Sequence, residues 1–357
     1  MNEDFISRAN VKRNVCLMKT EELFLTNKRK WRADFGEHFQ YICSQIQKRQ
    51  NELALFAVSY LEYTMLFTHF INRHYISDIF VYGEETYLDK KQRFIGSYNI
   101  SFLFVYFDNL WEDLLNLRKM YVGKISAQEI TAFMIQTLPA FYSYLTSIAR
   151  TAITESINKS PFIDIDKNER FVVNVGDYMA KTETVHEEKK NKNAEKLTQW
   201  FNKQIYGMYI FGDYTSLDFS GKTFTFKDFR YARFSGSILN GTNFEGSSLI
   251  GVNFRNANME RCCLDYCSIY EADFSNSIMI SASFRNARAK VGLINDKEWK
   301  FVGFLPASFR NADLTNADFS GADLTGADFT GAILTYADFT DAILDNAIFD
   351  SSFSKRS

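Results

Sequence analysis

The chain has 357 residues, 46% of them hydrophobic and 24% charged, which is the balance of a folded protein rather than a disordered one. Lys and Arg number 41 against 43 Asp and Glu, so the net charge of −2 gives no overall attraction to nucleic acid. The N-terminal residues lack an apolar core, so we expect no secretory signal there. Without export, the five cysteines are expected to be reduced thiols in a cytoplasmic protein.

Residues 1–160 contain no internal repeat and are predicted to form an α-helical bundle domain. Two long apolar runs occupy residues 53–71 and 100–117, and Glu62 and His69 interrupt the first. These two ionisable side chains would lie in hydrocarbon if the run crossed a bilayer, so no membrane span is predicted. Both runs are therefore interpreted as buried helices. Glu62 and His69 are interpreted as a structural pair on one helix face.

A second helix signal lies further along the same domain. Ser126 and Glu129 have the spacing of a capping box, which predicts a helix over residues 130–153. Pro139 lies inside that helix and is expected either to kink it or to divide it into two helices in series.

A short basic run, Lys-Arg-Lys-Trp-Arg, occupies residues 28–32. It could contact phosphate or an anionic surface, but a solvated helix start is the preferred interpretation, so nucleic acid is not a predicted partner. His69 and His74 are five residues apart, which does not place them on one helical face as metal ligands. The sequence has no HExxH, paired CxxC, glycine-rich phosphate loop or GxSxG motif. No catalytic residue, metal or cofactor is predicted.

Residues 161–200 are predicted to form a β-hairpin followed by a charged linker. In residues 162–175 the apolar segments FIDID and RFVVNV flank a polar turn. Residues 181–196 are strongly charged without an apolar face, which indicates a solvated linker or an exposed helix. Trp200 and Phe201 are well placed to cap the domain that follows.

Residues 201–357 are dominated by a period of five. Every fifth position from Phe219 to Phe349 is a repeat centre, and 25 of these 27 centres are Phe, Leu, Ile or Met. The residue two before each centre is small at 23 of the 27 repeats. This period fits neither a helix nor a plain strand, and requires a backbone that turns a corner every five residues. Cys262 and Cys267 occupy small-residue positions, so the cluster they form with Cys263 is interpreted as packing.

The pattern resembles the pentapeptide-repeat family, Ala-Asp/Asn-Leu/Phe-x-x, over about residues 205–353. The resemblance implies a right-handed quadrilateral β-helix with four repeats per coil, in which residues 20 apart stack and the interior is filled by Phe and Leu. The expected fold class is therefore an α+β multidomain protein, with an N-terminal helical bundle followed by this solenoid. A filled rod offers no internal pocket, which makes catalysis inside it implausible.

Residues 288–306 depart from the repeat. Lys297 falls in an inward position and Trp299 at a centre, although the five-residue frame resumes afterwards. The segment is either a degenerate coil or a loop that leaves the rod, and the loop is preferred because Lys and Trp cannot share a narrow interior. The loop is a candidate contact, with a tolerated insertion as the alternative.

Three surface features of the rod are candidates for interaction. One is an acidic belt, for which the family consensus is the alternative explanation. The second is a basic stripe along one column, and the third is an apolar end that would be a cap or a self-association face. The belt consists of Asp313, Asp318, Asp323 and Asp328, and the stripe of Arg230, Tyr270, Lys290 and Arg310. The apolar end consists of Ile333, Tyr336, Ile343, Ile348 and Phe353. Trp299 of the interrupted segment is a further candidate contact.

The sequence thus predicts a non-enzymatic scaffold or adaptor in which the rod binds another protein and the helical domain recruits a second partner or sets orientation. The C-terminal end of the rod is the available face for a homodimer. Resemblance to the family implies an alternative, because some members mimic duplex DNA, bind type II topoisomerases such as gyrase and give resistance to their inhibitors. A third hypothesis is an enzyme in residues 1–200 with the rod as its targeting arm.

Overall fold

The computed structural model describes residues 2–53, 55–83, 92–177, 182–189, 209–289 and 305–350. The chain divides into two compact units, Met1–Asn191 and Lys192–Ser357. The first unit combines helices with one β-sheet, and the second is a β-solenoid.

The first unit contains four α-helices and five strands within its described residues. In chain order they are α1 (Glu3–Leu53), β1 (Val58–Met65), α2 (Phe67–Ile71), β2 (Ile76–Tyr82), β3 (Arg93–Asn99), α3 (Val105–Arg118), α4 (Ala127–Thr154), β4 (Lys167–Asp177) and β5 (Thr182–Lys189). The sheet order is β3-β2-β1-β4-β5. Only the β1–β4 pair is parallel; β1–β2, β2–β3 and β4–β5 are antiparallel.

The predicted helical bundle is wrong, because the apolar run at residues 53–71 contains the central strand β1. Leu61 and Tyr63 are fully buried, and Glu62 and Thr64 on the opposite face are also buried. A strand buried on both faces has a continuous apolar sequence, which resembles that of a buried helix. The aromatic and β-branched residues of VSYLEYTM favour the strand.

Residues 161–200 contain an antiparallel β4–β5 pair instead of the predicted hairpin of FIDID with RFVVNV, and the part of the predicted linker beyond Lys189 lies outside the described residues. The segment RFVVNV lies in β4, but it pairs with β1 and β5 rather than with residues 162–165, which form turns. The charged segment contributes the edge strand β5, in which Val185 and His186 are buried. Its acidic side chains pair with bases elsewhere in the fold: Glu183 with Arg150, Glu187 with Arg170 and Glu188 with Lys167.

The helices of this unit follow the sequence signals more closely. The capping box is confirmed, since Ser126 Oγ accepts from the Glu129 amide (3.1 Å) and Glu129 Oε2 accepts from the Ser126 amide (2.8 Å). Helix α4 continues through Pro139 as a single element, so the division into two helices does not occur. Helix α1 has 51 residues, about 76 Å at 1.5 Å per residue.

In the second unit, residues 20 apart form parallel bridges at every fifth position, as in Asp213↔Arg233 and Asp218↔Ile238. Each coil of 20 residues therefore has four bridge positions. At each corner the amide three residues after a centre donates to the carbonyl of that centre, as Ala232 does to Phe229 (2.9 Å). The residue two after the centre has a positive φ, as in a type II turn, which explains the run of glycines at this position.

The repeat centres fill the interior of the solenoid. Phe254, Phe274, Phe309, Phe329 and Phe349 stack in one column, with centroids 4.8–5.1 Å apart and ring planes within 8° of parallel. Leu centres such as Leu314 and Leu324 are fully buried on other sides of the coil. The predicted filling of the interior by Phe and Leu is confirmed, and it leaves the core packed by side chains.

The interruption near residue 290 is not one degenerate coil. Asp273 bridges to Ser308, 35 residues away, whereas the other coils are separated by 20, so fifteen residues are inserted between the two coils. This insertion is called the loop below, and residues 290–304 lie outside the described residues. Phe274 still stacks on Phe309 across the gap (5.0 Å). Lys297 and Trp299 lie outside the described residues.

Candidate interaction surfaces of the solenoid

The four aspartates of the acidic belt lie at four successive bridge positions, one on each side of the coil. In each, Oδ1 accepts from both the backbone amide and the hydroxyl group of the residue two positions later; for Asp313 and Thr315 these distances are 3.0 and 2.7 Å. The same pair of bonds is made by Ser320, Thr325 and Thr330 to the other three. The carboxylates are therefore held in fixed orientations.

The members of the belt differ in how far their charge is compensated. Asp328 Oδ2 pairs with Arg310 at 2.9 Å, and Asp318 lies 3.9 Å from Arg285. Burial alone would raise the pKa of Asp328, but hydrogen bonds from Thr330 and Arg310 lower it overall. Within the described part of the chain, Asp313 and Asp323 have no ion-pair partner. These two aspartates carry the uncompensated charge of the belt.

The described residues of the predicted basic stripe do not line up as one column of exposed bases. The insertion adds fifteen residues to the coil and not a full coil of twenty. Arg310 therefore follows Ser275 in its column, rather than following Tyr270. Tyr270 is 5% exposed, and the Arg230 guanidinium pairs with its neighbour Asp228 at 2.7 Å. Lys290 lies outside the described residues.

Sequence reasoning missed a set of ion pairs that join successive coils. Their signal is an Arg and an Asp separated by 18 or 20 positions, which places them on adjacent coils. The closest nitrogen–oxygen distances are 2.7–3.3 Å in Arg233–Asp213, Arg255–Asp273, Arg285–Asp265 and Arg310–Asp328. Arg255, Arg285 and Arg310 remain about half exposed, so their charge is still presented to solvent.

The apolar residues predicted at the end of the rod are exposed where the structure describes them. Ile333, Ile343 and Ile348 are 49–51% exposed and Tyr336 is 76% exposed, while Phe353 lies outside the described residues. In the same coil the inward Phe349 is only partly buried. The last described coil thus carries exposed apolar side chains at three of its four bridge positions, and Asp338 lies at the fourth.

The thiols of Cys262 and Cys267 are buried and donate to the carbonyls of Leu239 (2.7 Å) and Phe244 (3.0 Å). Ser237 makes the equivalent bond to Tyr214 (2.6 Å). Burial raises the pKa of Cys262 to about 12. The structure supports the packing interpretation, because these thiols fill the small-residue position as Ser does elsewhere.

The ionisable groups singled out in the first unit contact residues other than those predicted. Glu62 accepts a hydrogen bond from Asn174 Nδ2 at 3.0 Å, and burial raises its pKa. His69 lies in α2, where Nδ1 is 3.8 Å from Asp78, so the predicted Glu62–His69 pairing on one helix face is wrong. No group of three or more His, Cys, Asp or Glu in the described ranges is arranged to hold a metal ion.

The basic run at residues 28–32 lies in the middle of α1, not at a helix start. Trp31 is buried against Phe102, with ring centroids 4.7 Å apart, and is therefore unable to stack on a nucleobase. Lys30 is exposed, and Arg32 pairs with Glu155 at 3.3 Å.

Comparison with known proteins identifies which residues match a known repeat. A family model described as pentapeptide repeats matches eight copies, over residues 228–265 and 307–350. No curated protein matches the chain. Within the described residues, no helix has the length and hydrophobicity needed to cross a bilayer.

Several solved structures are similar to part of the chain. A pentapeptide repeat protein from the thylakoid lumen of Arabidopsis thaliana is 29% identical, over 35% of this chain and 70% of its own, with a TM-score of 0.19. QnrB1, a plasmid-mediated fluoroquinolone resistance protein, is 21% identical over 39% and 94%, with a TM-score of 0.19. HetL from a Nostoc strain, involved in heterocyst differentiation regulation, is 20% identical over 46% and 100%, with a TM-score of 0.16.

Proposed function

Because residues 228–265 and 307–350 of this chain are pentapeptide repeats, we propose that the protein is a non-enzymatic interaction scaffold. In this proposal the second unit is a right-handed, four-sided β-helix whose outer sides bind a partner protein, and the first unit binds a partner of its own. Four bridge positions per coil of 20 residues support the four-sided cross-section. A cytoplasmic location accords with the five cysteines being free thiols.

The observation that carries this proposal is the filled interior. From Phe229 to Phe329 every described centre is at most 1% exposed, so recognition is confined to the outside of the coil. A surface fixed by its own hydrogen bonds loses little conformational entropy on binding, which favours affinity. The acidic belt is such a surface, because each aspartate is held by the Thr or Ser two residues later.

The chemistry of the belt specifies a partner with a basic surface. Asp313 and Asp323 are the members without an ion-pair partner among the described residues, so a basic partner can approach them without displacing an existing ion pair. Their replacement by Asn removes the charge but keeps an oxygen that accepts from Thr315 and Thr325. The double variant D313N/D323N therefore tests the charge of the belt without disturbing its corners.

The test is quantitative affinity capture with the full chain, D313N/D323N and the control D341N. Asp341 is an exposed corner residue two coil sides beyond the belt, at a positive φ that Asn accepts readily. We expect one protein to be retained by the wild type and the control, in a salt-sensitive manner, and to be lost with D313N/D323N. Equal retention by all three would refute the belt as the binding surface.

A second function is favoured by the same belt: mimicry of duplex DNA and binding to a type II topoisomerase. The opposing observation is that, among the coils that the structure describes, only one is acidic at all four bridge positions, and exposed arginines occupy the coils before it. A supercoiling assay with DNA gyrase and a fluoroquinolone separates the two functions. If micromolar protein neither inhibits the gyrase nor protects it from the fluoroquinolone, this alternative is excluded.

Homodimer formation through the last described coil is a further part of the proposal. Its support is the half-exposed ring of Ile333, Ile343 and Ile348 on three sides of one coil. Light scattering of the full chain is expected to show a dimer that dissociates in I343D/I348D. If the mass is unchanged by these substitutions, the face is only a cap.

A further inference from the structure

Helix α1 has an apolar face that the first unit leaves exposed. Its inner face is buried, with Phe5, Phe24 and Phe35 in the core. On the outer face Val11 is 63% exposed, Val15 47%, Met18 69% and Leu25 38%. The outer stripe, as these four residues are called below, begins six residues after the buried Phe5 and extends over about 21 Å of helix.

The outer stripe has the spacing of a coiled-coil seam. Val11, Met18 and Leu25 are seven residues apart, and Val15 lies four after Val11 and three before Met18. Exposed Glu22 completes the second heptad, four residues after Met18 and three before Leu25. Alternating steps of four and three are those of a and d positions, which pack against one partner helix.

The surroundings of the outer stripe are basic. Residues 8–32 contain eight Lys or Arg and two Glu. Lys12 and Lys19 follow directly after Val11 and Met18, at the position that flanks a coiled-coil seam, and Arg29 lies four residues beyond Leu25. Lys12 pairs with Asp113 at 3.3 Å, whereas Lys19 is exposed. A partner that covers the stripe must place acidic side chains against this edge.

We infer that the outer stripe binds an acidic amphipathic helix of a partner protein, as a two-helix coiled coil. This rests on the part of the proposed function that gives the first unit a partner of its own. The stripe spans only about 80° of the helix circumference, which suits one helix better than the wider apolar face of a membrane-bound helix. It also contains no Trp or Phe, which interfacial membrane helices use as anchors.

A second copy of this chain suits the outer stripe less well. In an antiparallel pair centred on Met18, the two Lys19 side chains would meet across the seam, which is a like-charge contact. Glu22 in the seam specifies a basic residue opposite it, so the partner helix carries one Lys among its apolar positions and Glu along its edges.

The probe is a labelled synthetic peptide of three heptads, with Leu and Ile at the seam, one Lys to face Glu22 and Glu at the flanking positions. A matched peptide has Lys in place of every flanking Glu. Fluorescence anisotropy with the full chain is expected to show binding of the acidic peptide, at least about tenfold weaker binding of the basic one, and weakening by about 0.5 M salt.

Three variants locate the site. V15Q/M18Q removes apolar surface from the outer stripe without adding charge, and is expected to weaken binding at least about tenfold. K19E is expected to weaken binding of the acidic peptide and to strengthen binding of the basic one. Y41Q is the control, because Tyr41 is a 57% exposed apolar residue of the same helix outside the stripe, and it should leave affinity unchanged.

The inference is overturned if the acidic peptide does not bind, or if V15Q/M18Q and Y41Q bind it equally. It is also overturned if the stripe instead binds phosphatidylglycerol vesicles, or if V15Q/M18Q dissociates a dimer of the chain seen by light scattering. These experiments do not probe the acidic belt of the solenoid. The capture experiment with D313N/D323N therefore tests the proposed scaffold function independently of this inference.

Discussion

Replacing Phe274 by Ala tests the filled interior of the solenoid directly. Phe274 is fully buried, stacks on Phe254 at 5.1 Å and on Phe309 at 5.0 Å, and meets Phe284 edge to face at 5.6 Å. Truncating a buried Phe to Ala costs about 3–5 kcal/mol, and each lost ring pair adds about 0.5–1.5 kcal/mol. The stack joins the coils on either side of the fifteen-residue loop, so we expect a loss of at least about 4 kcal/mol there.

Amide hydrogen exchange followed by mass spectrometry is the appropriate assay, because it reports each coil separately. A loss of 4 kcal/mol corresponds to an increase of roughly a thousandfold in opening. The increase should be largest in the coils that contain Phe254 and Phe309, since repeat units are stabilised by their neighbours.

The control is the same chemical change on the outside, Phe226→Ala. Phe226 is 75% exposed at a corner, and its truncation is expected to change stability by about 0.5 kcal/mol or less. If F226A and F274A accelerated exchange equally, the reasoning that places recognition outside a packed rod would be refuted.

Three further predictions concern other parts of the fold. Ser126→Ala removes the helix cap and should lower the thermal stability of the first unit by about 1 kcal/mol, with Ser126→Thr as the tolerated control; an unchanged melting temperature would contradict this. Gly251→Ala should destabilise its coil in hydrogen exchange, because φ is +63° and the new Cβ would lie 2.4 Å from an aromatic ring, and unaltered exchange there would count against the corner geometry. Burial alone would raise the pKa of Glu188, but His186 and Lys167 lower it to about 2. Its stabilisation, about 3 kcal/mol, is therefore present above pH 4.5 and lost as the pH falls towards 2, and denaturant unfolding of Glu188→Gln should lack this acid-dependent loss.

The solenoid could be predicted from the sequence because its signal is local and repeated. Each repeat of five residues indicates by its sequence which side chain points inward. A single departure from the pattern, such as Ala289 at a centre, therefore does not shift the predicted frame. The column of Arg310 could not be predicted, because an interruption of fifteen residues and one of twenty both preserve a period of five. Only the pairing of Asp273 with Ser308 distinguishes them.

The sheet of the first unit was not predictable in the same way. Strand β1 is apolar on both faces, so its sequence lacks the alternation that identifies a half-buried strand. Strand β5 was mistaken for a linker because its charges are compensated by residues distant in sequence, Glu183 by Arg150 and Glu187 by Arg170. The heptad spacing of the outer stripe is readable in the sequence, but only the burial of Phe5, Phe24 and Phe35 shows which face of α1 is left exposed.

Because of the fifteen-residue loop, a change in the length of the loop and a change in the length of a coil have different effects on the solenoid. Five residues added to or taken from the loop leave all later coils in place, because Asp273 and Ser308 still pair directly. Five residues taken from a coil would instead move every later side chain to the neighbouring bridge position, so that Asp313 and the residues beyond it would point in a new direction. The length of the loop can therefore vary without reorienting the later coils. The number of repeats within the coils, in contrast, determines on which side of the coil each surface residue lies.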